Sequence, residues 1–466
     1  MNGRLIAGVA GGAVLVAAAV VGGAAYSGNQ AKKQLQALPL ALQTQWPMLK
    51  VVDQRYEKHL FSATHNVTLQ IGCSPAAGAA SGAPLLISFS QRIQHGPLPG
   101  FSSLAAAVID TELVLPEAQR KALAELTGNQ PPLTLHTVVG LSGTHHSRLS
   151  MPQFQVRGAK GEQFAWQGLQ LDVDGSGSGF QYDLSLPGAS MSARDDNMAM
   201  EMKFAGIKMR GEASGSGSLW LRPGKAEGEL EAMEMAMSGP ASQAQPLTQF
   251  ALRKLKLSSD SAIDKAGLLS GTGRFTGAGS VGDVKLDKIE MQVSLKRLHA
   301  ASYERLMQHM MDVSNTCDAQ QAAVAPQMLL AQMQEDALAL LPYNPEYSLD
   351  TLSLDIDGKH GEASYAVGVN GVSEAELKQQ PLLALLMGKG QFRGHAKLPL
   401  AWVEGTVAKF GGQGDPAAQA ELVNVMLTKM TGDGVVVREG DMLSTDFAYD
   451  KGQLTVNGKP MGRPAQ

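Results

Sequence analysis

Ten histidines, two cysteines and 22 methionines in 466 residues make up the soft and titratable chemistry of this chain, and they group in only a few places. His59, His65 and His95 lie close together in sequence, and His145-His146 is an adjacent pair. A metal needs ligands converging on one point, whereas His59 and His65 fall on opposite strand faces or outside one strand. Surface or hydrogen-bonded imidazoles are therefore expected, and no metal site. The methionines are less ordinary: eight of the 22 fall between Met191 and Met237, including the runs Met198, Met200, Met202 and Met233, Met235, Met237. Alternation puts three thioethers on one strand face. There they can hold a soft Cu(I) ion, wall a groove for hydrophobic molecules, or fill a core. The groove reading makes these six residues the candidate binding surface.

Cys73 stands in a loop of small residues, and Cys317 closes an apolar helical stripe. A disulfide between them would stabilise the fold by up to about 5 kcal/mol in an oxidising compartment; two separate thiols are the other reading. Catalytic fingerprints are absent from the sequence. There is no nucleophile elbow, HExxH, P-loop or dinucleotide motif, and Gly271-x-Gly273 lacks the third glycine in place. The Gly/Ser stretches 175–179 and 214–218 and the pair Asp195-Asp196 read as loops. The sequence predicts a protein that is not an enzyme and carries no cofactor.

The elements that must position these residues follow from periodicity. From Leu5 to Tyr26 the chain runs 22 residues without a charge, enough to cross a bilayer as a helix. That length favours a retained anchor, although Gly23, Ala24 and Ala25 also fit a cleavage site. Only Arg4 stands on the short side, with Lys32 and Lys33 following the run; long domains translocate despite such bias, so the bulk is expected outside the cytoplasm. A neck helix follows, broken at Pro39. The period then becomes two, at Val67, Leu69, Ile71 and at 85–89. Pro116 to Leu126 reads as a short helix stopped by Gly128. Strands continue through Phe180–Leu186, the methionine runs, Leu255–Leu257 and Ile289–Leu295. Parity slips across Gly168 and Gly206, which predicts bulges.

Residues 301–343 return to helical spacing and read as a helix pair. Ser373-x-x-Glu376 is a capping box before a helix running towards Met387, and Asp415-Pro416 opens another helix that stops at Gly432. DFAYDKGQLTVN at 446–457 is a hairpin turned by Asp450-Lys451-Gly452. A charge of −4 with no basic tract excludes nucleic acid as a natural partner.

Several of these pieces occur in an order that resembles the YdgA-like family of bacterial inner-membrane-anchored periplasmic proteins, a family of unknown function. They are the N-terminal apolar run, Tyr56 with Leu60-Phe61-Ser62, then His95-Gly96-Pro97-Leu98-Pro99, and the closing Asp446–Gly458 segment. The resemblance implies a single-pass anchor in the inner membrane with the rest in the periplasm, and it transfers no catalytic or ligand residue. A looser architectural likeness to AsmA-like lipid-transfer proteins is an analogy only.

The expected fold is α+β and β-dominated, an N-terminal transmembrane helix followed by a long twisted antiparallel sheet partly covered by helices. Its parts are a cytoplasmic tip at 1–4, the anchor at 5–26, neck and first strands at 27–110, a β-rich body at 111–300, a helical pair at 301–345, and a closing part at 346–466. The expected function is that of a non-enzymatic scaffold or binder of lipid or other hydrophobic molecules. The alternative is a protein–protein adaptor, dimeric through its helical segment.

Overall fold

The computed structural model describes residues 49–71, 85–96, 98–101, 104–158, 161–177, 179–194, 198–214, 221–239, 246–314, 333–410 and 416–461. The apolar run, the neck, Cys73, Pro97, Asp195-Asp196 and Cys317 lie outside the described residues. Among the described residues no helix is long and apolar enough to cross a membrane.

The chain divides into two compact units, one of Met1–Gln249 and Glu304–Gln334, the other of Phe250–Tyr303 and Glu335–Gln466. Strands of the first are β1 (Leu49–Lys58), β2 (Ser62–Ile71), β3 (Leu85–His95), β4 (Ala107–Val114), β5 (Thr134–Val139) and β6 (His145–Met151). They continue with β7 (Phe154–Arg157), β8 (Gln163–Trp166), β9 (Leu169–Ser176), β10 (Gly179–Arg194), β11 (Ala199–Ser214) and β12 (Gly224–Ser238). Every pairing is antiparallel, in the order β1-β2-β3-β4-β5-β6-β9-β10-β11-β12, with the β7–β8 hairpin joined to the far half of β10. Helix α1 (Glu117–Thr127) begins after Pro116 and ends at the left-handed Gly128, as its sequence requires.

One face of this sheet is buried. Leu49, Val67, Leu69, Phe89, Leu135, Leu149 and Leu171 form one apolar cluster, and Ala63, Ile93, Ala107, Ile109 and Val139 form a second. Between them runs a polar seam. Gln54 Nε2 donates to His65 Nε2 (3.0 Å), His65 Nδ1 donates to Gln91 Oε1 (2.7 Å), and Gln91 Nε2 donates to Thr111 Oγ1 (3.2 Å). Thr137 and Ser147 share a hydroxyl contact at 2.9 Å farther along the sheet. Each polar side chain of this seam thus meets another, which is the condition for burial at tolerable cost.

The parity slips turn out to be aligned. Apolar alternation changes phase between Trp166 and Leu169, between Leu186 and Ala189, between Phe204 and Ile207, and between Leu230 and Met233. These four breaks are neighbours in the sheet, since Gln167 N–H donates to Gly188 O, Gly188 faces Ala205, and Ala205 faces Ala232. Gly168 and Gly206 supply the positive φ values, +95° and +63°. Gly206 therefore corrects the sequence expectation. Register is unchanged on both of its sides, so it marks a kink shared with its neighbours and no residue is inserted against either partner.

The second unit contains β13 (Pro246–Ile263), which starts just before it, then β14 (Leu268–Val281), β15 (Val284–His299), β16 (Glu346–Ile356) and β17 (Lys359–Val369). It ends with β18 (Gly390–Pro399), β19 (Val437–Glu439), β20 (Met442–Asp450), β21 (Gln453–Val456) and β22 (Lys459–Pro460). The order is β13-β14-β15-β16-β17-β18-β20, with β19 and β21 both on the outer edge of β20 and β22 beyond β21. Helix α2 (Ala300–Ser314) leaves β15 directly.

The capping box at Ser373 is present with both reciprocal bonds, but the helix it opens stops early. Gln380 is extended because Pro381 follows it, so the expected single helix is two, α3 (Glu374–Gln379) and α4 (Leu382–Lys389). Helices α5 (Leu400–Phe410) and α6 (Pro416–Gly432) pack Leu400, Val423 and Leu427 around Leu443 of β20. The closing hairpin turns at Lys451 and Gly452, both with positive φ, as a two-residue turn of this hand demands.

Candidate functional site

The methionine runs occupy adjacent strands and lie side by side. Met202 faces Met191 of β10 on one side and Met235 of β12 on the other, Met200 faces Met237, and Phe204 faces Met233. Cross-strand partners share a sheet face, with Cβ atoms about 5 Å apart. Met191, Met200, Met202, Phe204, Met233, Met235 and Met237 thus make one continuous apolar surface, three strands wide. All seven are half-buried, and Met198 at the end of the run is 44% exposed. Glu201, Lys203 and Glu234 alternate with them and are exposed, which is what a strand with one apolar and one wet face gives. Such a surface offers polarisable, conformationally adaptable side chains and no charge.

The histidines, expected from the sequence to be surface or hydrogen-bonded groups, lie in separate places among the described residues. His65 lies in the polar seam, 1% exposed, and burial holds its imidazole below the ordinary range against the opposing effect of Gln91. His59 is exposed in the β1–β2 turn. His95 ends β3, where burial and then Lys58 lower its affinity for a proton. His146 meets Asp174 at 2.8 Å on the solvent face, as His136 meets Asp110 at 2.7 Å, His360 meets Asp355 at 2.6 Å and His395 meets Asp446 at 2.8 Å. These are cross-strand pairs that favour register and contribute little each to stability. Among the described residues no group of three His, Cys, Asp or Glu side chains could hold a metal ion.

His145 differs from the others. It is 5% exposed, neither ring nitrogen has a hydrogen-bond partner, and burial lowers its pKa in spite of Asp174. It lines an open cavity of about 720 Å³ together with Thr144, Asp174, Phe180, Gln181 and Glu212.

The family-motif residues come together although some 30 positions separate them. The backbone N–H of His95 donates to the carbonyl of Phe61 at 2.9 Å, and Ser62 faces Gln94 across β2 and β3. Gly96 adopts φ +105°, and Pro99 is buried while Leu98 is exposed.

One apolar surface went unread in the sequence. In the second unit Tyr347, Tyr365, Phe392 and Phe447 form an aromatic stripe across β16, β17, β18 and β20, with centroid separations of 6.0, 6.5 and 5.2 Å. Tyr347 is 40% and Tyr365 37% exposed. On β17, Trp402 of α5 rests against Gly361, and on β20 the Tyr449 hydroxyl donates to Met387 O at 2.6 Å. Alternation placed each aromatic on a strand face; only pairing lined them up.

The class defined by this architecture is a strand-dominated chain of antiparallel sheet with few helices. The chain belongs to the family described as bacterial protein of unknown function (DUF945), whose model matches residues 5–463. No curated protein matches it, and no solved structure does.

Proposed function

We propose that this chain is a membrane-anchored envelope protein of the YdgA-like kind, held by residues 5–26 in the bacterial inner membrane with its bulk in the periplasm. It binds hydrophobic molecules, lipid acyl chains among them, along its sheet surface and catalyses no reaction. One observation carries the reading: the methionine surface of β10, β11 and β12 is continuous and only half-buried. Methionine suits a surface that must accept varied chains, because its thioether is polarisable and its three rotatable bonds adapt. Fully packed core side chains would be withdrawn from solvent, as Leu149 and Ile93 are in this same unit.

The test uses the full chain in phospholipid nanodiscs with a fatty acid carrying a diazirine on its tail. After irradiation, adducts are mapped by peptide mass spectrometry. Adducts concentrated on 198–204 and 230–238 are the expected result. Labelling spread evenly over the chain, or confined to 5–26, rejects the groove.

A further inference from the structure

Five large apolar side chains project from one end of the first sheet. Leu60 is 85% exposed, Phe61 73%, Leu104 72%, Leu98 52% and Leu141 46%. They sit on three successive loops, the β1–β2 turn, the β3–β4 connection and the β5–β6 turn, which antiparallel order brings to the same end. The loops touch through their backbones: His95 N–H donates to Phe61 O, Gly96 N–H to Ala106 O at 3.2 Å, and Ala106 N–H to Val139 O at 2.8 Å. The five side chains therefore form one protruding tip.

The charge pattern narrows what this tip meets. From 58 to 63, from 93 to 109 and from 139 to 145 the sequence contains no Asp or Glu. Nearby carboxylates are engaged, Glu57 with Arg55 at 2.7 Å, Asp110 with His136 and Asp174 with His146. Lys58 and His59 are exposed beside Leu60. The opposite end of the sheet differs in carrying carboxylates among its cations, Glu117 and Glu125 with Arg120 and Lys121 on α1 and Glu162 just before β8. Apolar side chains on separate loop tips, with Lys58 at their base and no carboxylate within the loops, match the layered chemistry of a bilayer surface, acyl chains beneath anionic headgroups. A protein partner would be met by a flatter patch with a polar rim of both signs.

From this we infer that the Leu60, Phe61, Leu98, Leu104 and Leu141 tip inserts into the interfacial layer of a lipid bilayer. It is a second membrane contact, independent of the apolar run at 5–26 and of the methionine surface. The β3–β4 and β5–β6 loops otherwise consist largely of glycine, proline, serine and alanine.

The experiment places the photo-crosslinker p-benzoylphenylalanine at Phe61 or Leu98 of the full chain in vesicles of phosphatidylethanolamine and phosphatidylglycerol. The same crosslinker at Glu125, at the other end of the sheet, is the control. Phospholipid-mass adducts at 61 and 98, and not at 125, are expected. The doubly substituted chain Leu60→Asp, Phe61→Asp should lower the adduct at 98 at least tenfold while its urea midpoint stays unchanged, because both side chains are exposed. Protein adducts alone, adducts equal to the control, or an undiminished yield in the Asp variant each overturn the inference. Adduct position separates this outcome from that of the groove, which is read at 198–204 and 230–238.

Discussion

His145 of β6 stands directly opposite Gly175 of β9, and its imidazole fills the space a side chain at that glycine would need. A methyl at Gly175 would overlap the ring, so Gly175→Ala should cost about 1–3 kcal/mol. His145→Phe, by contrast, should cost less than about 1 kcal/mol or stabilise, because both buried nitrogens lack partners and no hydrogen bond is lost. Urea unfolding of the two variants checks this. A severe loss in His145→Phe would reveal a partner for the ring.

Acid should weaken the first unit before carboxylates titrate. His65 and His145 have pKa values below the ordinary one of about 6.5, chiefly through burial. Below that pH the unfolded chain binds protons that the folded one resists, so stability falls as pH drops and is fully present above about 6.5. The slope is bounded by about 1.4 kcal/mol per pH unit for each ring. Asp350, held down by Ser294 and Ser348 against its burial, and Asp172 act in the same direction but in a window that opens nearer pH 4. Urea midpoints at pH 7.5 and 5.5 should differ, and less so in His145→Phe. Equal differences would remove His145 from the account.

Gln91 joins His65 to Thr111 in the buried seam. Gln91→Leu strands both and should destabilise by about 2–3 kcal/mol. Adding His65→Leu should restore part of that, since removing both partners leaves fewer unpaired groups. A double-mutant cycle in urea measures the recovery; strict additivity would mean the bonds do not couple.

Gly206 combines φ +63° with a close approach, a built Cβ lying 2.7 Å from Glu231 Cβ. Gly206→Ala should cost about 1–3 kcal/mol, more than Gly→Ala at an ordinary strand position. If Gly206→Ala were as stable as the natural chain, the aligned kink would not depend on that glycine.

The methionine surface separates groove from core by stability alone. Met202→Ala and Met235→Ala should each cost under about 2 kcal/mol because neither side chain is fully buried. Losses of about 2–5 kcal/mol would place them in a packed core. Met235→Asp should lower fatty-acid adducts on 230–238 while Met235→Leu leaves them in place.

Alternation in the sequence determined the strands, their apolar faces and the methionine runs, because a period of two is a property of neighbouring residues. The helix at 117–127, the capping box at Ser373 and the turn at Lys451-Gly452 were legible for the same reason, each being set within a few residues. Tertiary structure alone decided what those faces meet. Met202 lies between Met191 and Met235, the aromatic stripe runs through four strands, and Leu60 shares a tip with Leu141. Each of these depends on which strands pair and in what register, over separations of tens of residues that no local period encodes. The kink at Gly206 shows the difference at one residue. Its parity slip was visible in the sequence, but only the neighbouring slips at Gly168, Gly188 and Glu231 reveal that the apolar face changes phase along one line across the strands.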